Sequence, residues 1–141
     1  MTRALGLLEQ GPDDGEAWSY ARARLLMTRA FSEFEMHGSE RGEMALDAAT
    51  AAAALSGRRD LDALVHELRG LIAVRSGRLD LSLAELDASV GLLRYLDPED
   101  RPILLLNRGG VHLLRRDLRS ARADLDARAA GGRPHGLRLR R

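Results

Sequence analysis

The stretch from Arg69 to Ala88, RGLIAVRSGRLDLSLAELDA, decides how this chain folds, because it returns 39 residues later as RGGVHLLRRDLRSARADLDA, Arg108 to Ala127. Seven of the twenty positions are identical. Arg69-Gly70 falls on Arg108-Gly109, Leu79 on Leu118, Ala84 on Ala123, and Leu86-Asp87-Ala88 on Leu125-Asp126-Ala127. A composition rich in Arg, Ala and Leu raises the background of such matches, so their placement matters more than their number. Gly70 lies twelve residues before Ser82 and sixteen before Leu86, and Gly109 stands at the same distances from Ala121 and Leu125. Ala45 and Ala49 mark a weaker, earlier copy, 37 residues before Ser82 and Leu86.

Around these copies the apolar residues keep helical time. Leu61, Leu64, Val65, Leu68 and Ile72 recur at three- and four-residue steps, as do Leu79, Leu83, Leu86, Val90 and Leu93. No segment alternates with period two over a strand's length, so the chain reads as all-α. Glycine and proline divide it into helices over about 2–10, 14–37, 40–55, 61–76, 79–95, 102–116 and 118–130. Asp13 with Glu16 matches a capping box, Ser39 and Asp60 stand where N-caps belong, and Gly38 can close the helix before it. Connections as short as Gly77-Arg78 force neighbouring helices antiparallel, giving hairpins over about 15–56, 60–96 and 102–130. Gly131-Gly132-Arg133-Pro134 ends the last helix, and residues 131–141 read as a basic, disordered tail.

Composition narrows the function. Of 141 residues, 45% are apolar but only 4% aromatic, so Leu and Ala must do the packing, which suits helices better than sheets. All 22 basic residues are arginine and Asn107 is the only asparagine, a skew that reflects a GC-rich genome rather than selection for guanidinium chemistry. With no cysteine there is no disulfide, no thiolate metal site and no thiol nucleophile. No run approaches the ~18 apolar residues of a membrane helix, and the N-terminal apolar run is too short for a signal peptide, so the expected location is cytoplasmic. Residues 1–100 carry eleven Arg against eighteen acids, and residues 101–141 carry eleven against three. That uneven charge points either to an acidic or nucleic-acid partner at the C-terminal end or to a solvated tail.

The paired spacings resemble the tetratricopeptide (TPR) repeat, in which a small residue of the first helix lets the second pack closely against it. The period of 39 differs from the usual 34, and Ala73 and His112 stand at the aromatic positions. More narrowly, the runs Leu68–Leu79 and Leu104–Arg115, with Ala121–Leu125, resemble the N-terminal repeat arrays of actinobacterial CHAT-type proteins over residues 15–130. That resemblance implies a short right-handed solenoid whose first helices line a groove for a peptide or a partner helix. It carries no protease activity over, because the caspase-like domain and its cysteine are missing. By the repeat pattern, Glu67, Leu71 and Arg75 of one copy and Leu106, Asn107 and Gly110 of the next line the groove. TPR families often use asparagine at the position of Asn107 to hold a ligand backbone. An amide can donate and accept, and the same side chain could equally bridge neighbouring helices.

Other chemistry is poorly served. His66-Glu67 lacks the second histidine of a zinc-binding helix, and His37, His112 and His135 fall in no ligand spacing. Acids two apart, such as Asp60 and Asp62 or Asp124 and Asp126, point to different faces of a helix. The glycines beside arginine match no phosphate loop. The sequence therefore predicts no catalytic centre, no metal and no cofactor. Arg133, Arg138, Arg140 and Arg141 could touch phosphates, but no aromatic is interleaved to stack on bases, so nucleic acid is the weaker reading. The reading is a protein-binding module, with self-association through an uncapped last hairpin as a further expectation.

Overall fold

The computed structural model describes residues 15–131, and among them the chain is all-α, with no strand. The helices are α1 (Glu16–His37), α2 (Ser39–Ser56), α3 (Arg59–Arg75), α4 (Leu79–Val90), α5 (Arg101–Leu114) and α6 (Leu118–Gly131). A short 3₁₀ turn, Leu93–Tyr95, follows α4. The expected helix over 2–10, the capping residue Asp13 and the tail beyond Gly131 lie outside the described residues.

Four expected boundaries move. Gly15, at a φ of 68°, precedes α1. Ser39 is the first residue of α2 and caps nothing, because Gly38 precedes that helix at a φ of 91°. Asp60 lies inside α3, where its carboxylate takes two hydrogen bonds from Arg58 at 3.0 and 2.7 Å. That fork holds the Asp60 carboxyl below its ordinary range. The fourth helix stops at Val90 instead of continuing to 95, since Gly91 is a weak helix former and the chain must turn to bury Leu96. Arg101 fixes the turn by donating to the carbonyls of Leu96 and Arg94 at 3.0 and 3.2 Å.

The turns repeat as the sequence does. After α3, the Arg78 N–H reaches the Ala73 carbonyl at 2.9 Å and the Gly77 N–H reaches Val74 at 3.1 Å. After α5, Asp117 and Arg116 make the same bonds to His112 and Leu113, both at 2.9 Å. This is the Schellman closure, which needs a left-handed residue. Gly77 supplies it at a φ of 78°, but its counterpart is Arg116, at 62°.

Each turn joins an antiparallel pair. His66 meets Glu85, Gly70 meets Ser82 and Ala63 meets Ser89, so advancing along α3 means retreating along α4. Gly70 and Gly109 pack tightly within their pairs, a Cβ on either falling 2.7 Å from Leu86 and 3.3 Å from Asp124 respectively. In the first pair the register differs from the expected Ala45 and Ala49. Among the buried residues of α2, Gly42, Leu46 and Ala49 stand 40 residues before Ser82, Leu86 and Ser89 of α4. Gly42 lies against Phe34, too near to leave room for a side chain.

Successive pairs then pack on one another, α3 on α1 and α2, and α5 on α3 and α4. Two apolar cores result. One joins Leu26, Met27, Leu46, Leu61, Val65 and Ile72, and the other joins Leu86, Leu96, Leu104 and Val111. Burial of these large side chains stabilises the helices far more than their modest propensities do.

Candidate functional site

The six expected groove residues come from α3 and α5, and the structure separates them into two kinds. Glu67 and Asn107 meet. The Asn107 Nδ2 donates to Glu67 Oε1 at 2.9 Å, so the only asparagine ties α3 to α5. Burial raises the Glu67 carboxyl above its ordinary range, the Asn107 hydrogen bond opposes this, and the nearby Asp100 charge adds to it. Arg75 is likewise engaged, paired with Glu35 of α1 and held 5.3 Å over the Phe34 ring. These contacts cross-link the first helices of successive pairs.

The other three candidates are open. Leu71 is half-buried, Leu106 is 42% exposed, and no atom lies within 4 Å of where a Cβ on Gly110 would stand. Phe31 precedes Leu71 by 40 residues, and Gly110 follows it by 39, so the three occupy one position in successive first helices. With Ile103, which is 54% exposed, they leave apolar surface beside the Glu67–Asn107 bridge.

The opposite edge carries a second device. Arg69 of α3 reaches back to α2, donating to Asp47 at 3.2 Å and to the Thr50 hydroxyl at 2.8 Å. Arg108 of α5 reaches back to Asp87 of α4, also at 3.2 Å. The repeated Arg-Gly dipeptide thus does two jobs. Its glycine admits the helix that follows, and its arginine stitches the pair to the one before. The residues of this contact do recur in the sequence, since Leu46-Asp47-Ala48 and Leu86-Asp87-Ala88 set an acid 22 and 21 residues before Arg69 and Arg108.

Arg108 also grips Asp124 with two hydrogen bonds, at 2.9 and 2.7 Å. Asp124, 4% exposed, is the buried carboxylate of α6, and it shares the approach to Gly109 with the half-buried Leu125 that the spacing put there. The His112 ring lies 3.7 Å from the Asp124 carboxylate. His66 lies 2.7 Å from Glu85 across the α3–α4 pair. Among the described residues no group of three or more His and acidic side chains could hold a metal ion, and no helix is long and apolar enough to cross a membrane. Arg133, Arg138, Arg140 and Arg141, the basic candidates, lie outside the described residues, as does His135. A shallow groove of about 300 Å³ runs between α1 and α2, lined by Leu26, Arg29, Glu33, Arg41 and Met44 among others.

No protein-family model matches the chain, and no curated protein or solved structure matches it either.

Proposed function

We propose that this chain is a non-catalytic, TPR-like interaction module, its hairpins forming a short right-handed solenoid whose first helices receive a peptide or a helix of another protein. The observation that carries this reading is the apolar row formed by Phe31, Leu71, Ile103 and Leu106, with Gly110 open at its end. Apolar side chains left on one face beside fixed polar groups have the make-up of a binding surface, in which burial gives affinity and the polar rim gives orientation. Glu67 and Asn107, already held by each other, present an ordered acceptor and donor at that rim without further loss of side-chain freedom. Such preorganisation supports recognition of an extended backbone, which offers alternating N–H and C=O groups. The kinship with CHAT-type arrays belongs to this same proposal.

The test is selection from a random peptide library on the full-length protein, followed by affinity measurements on variants. Leu71→Glu and Leu106→Glu should each weaken selected peptides at least about tenfold, the loss expected when a central apolar contact is replaced by a charge. Ala88→Glu, on the exposed side of α4, should leave them unchanged. Peptides that bind equally well to all three variants would overturn the proposal, and so would a library that yields none.

A further inference from the structure

We propose that copies of this chain stack head to tail, the α1–α2 pair of one copy docking on the α5–α6 pair of the next in the register that joins the pairs within each chain. The argument begins with the ladder of arginines. Arg69 to Asp47 and Arg108 to Asp87 are two rungs of one repeated contact, each 3.2 Å long. The same offsets identify the two half-rungs left over. Arg29 lies 40 residues before Arg69, as Asp47 lies 40 before Asp87. Asp126 lies 39 residues after Asp87, as Arg108 lies 39 after Arg69. Arg29 therefore stands on the first of the described pairs where it would reach back to an acid, and Asp126 stands on the last where it would receive an arginine. Among the described residues Arg29, half-buried, makes no ion pair, and the exposed Asp126 has only Arg122 at 3.9 Å on its own helix.

The apolar surfaces follow the same logic. Val74 and Leu79 of the middle pair are partly buried against the second core, which the next pair completes. Their counterparts in the last pair are Leu113 and Leu118, 48% and 67% exposed, with Leu114 beside them at 63%. At the head, the groove between α1 and α2 sets the 68% exposed Met44 beside Arg29, over the buried Leu26. Head and tail are different surfaces, so the contact is heterologous. Such a contact does not close on itself after two copies and instead extends into rows. The second copy is the occupant favoured here because it alone is certain to carry Arg29 in the register that the internal rungs define.

Sedimentation velocity on the full chain tests this, over concentrations from about 1 μM to about 1 mM, the range of weak and moderate association. The weight-average mass should climb past that of a dimer without a plateau. Arg29→Asp and Asp126→Arg replace attraction with repulsion, and each should raise the concentration at half-assembly about fivefold or more. The double variant, carrying the swapped pair, should return to within about twofold of the parent. A monomer mass throughout, a plateau at the dimer, or failure of the double variant to recover would each overturn the proposal. Peptide binding on the Leu71 and Leu106 face is read separately, so the outcome here does not decide that one.

Discussion

Gly70→Ala puts the packing of the central hairpin to a quantitative test. In an open helix the change would stabilise by about 1 kcal/mol, since alanine restricts the unfolded chain and favours the helix. Here the new Cβ would stand 2.7 Å from Leu86 Cγ and 2.9 Å from its Cδ2. Carbon atoms pack at about 3.5–4.0 Å, so α3 and α4 must separate by roughly 1 Å, or Leu86 must leave its rotamer. Leu86 is fully buried and has nowhere to go. Overpacking of this kind costs about 2 kcal/mol. Separation would also stretch the buried Ser82 Oγ–H bond to the Gly70 carbonyl, now 2.8 Å, losing about 1 kcal/mol more. The net expectation is a loss of about 2 kcal/mol, or a midpoint lower by roughly 8 °C. Urea and thermal unfolding followed by far-UV circular dichroism would measure it. Gly110→Ala is the control. With nothing within 4 Å of its Cβ position, it should gain about 0.5–1 kcal/mol. In a Leu86→Ala background, Gly70→Ala should become neutral or stabilising, because the added methyl enters the space that the leucine left. A Gly70→Ala protein as stable as the parent would refute the reasoning.

Arg116→Gly should stabilise the protein by about 0.5–1 kcal/mol in the same assay. It relieves a left-handed residue at a φ of 62° that costs an L side chain roughly 1–2 kcal/mol, less the greater unfolded freedom of glycine. A loss of stability would mean that the Arg116 side chain makes contacts worth more than its backbone strain. Glu67→Gln should stabilise at neutral pH and make no difference in acid. Burial raises the folded carboxyl above its ordinary 4.5, so its contribution is fully present below that pH and is lost as pH rises through the folded value. Glutamine removes the charge and keeps an oxygen for Asn107. A gain that persisted or grew in acid, measured by urea unfolding across pH, would contradict the assignment.

How legible the candidate site was depends on the range of the contacts involved. The sequence placed Glu67 and Asn107 on the same working surface, but their hydrogen bond spans 40 residues and depends on how α5 lies against α3. No periodicity encodes that angle. Asp124 is a similar case. Matching Leu125 to Leu86 was sound as spacing, yet Asp124 beside it is the more deeply buried of the two, held by Arg108. The Arg-Gly repeat was visible, whereas the reach of its arginine to the preceding pair was not, because an ion-pair partner is chosen in three dimensions. The N-caps expected at Ser39 and Asp60 shifted for a local reason. Gly38 and Arg58, whose backbones lie outside the helix, took the N-cap positions, although the Asp60 carboxylate still accepts the first-turn Leu61 N–H at 2.9 Å.

What the sequence by itself determined is the helical class, the pairing of helices and the places where they approach most closely. Those follow from short-range facts: apolar side chains at helical spacing, glycine at the turns, and small residues opposite large ones. Only the tertiary structure decided the 40-residue register of the first pair, the burial of Asp124, and which arginine faces which acid. Each of these depends on the rotation and separation of whole helices, which many weak contacts fix together and no single stretch of residues specifies.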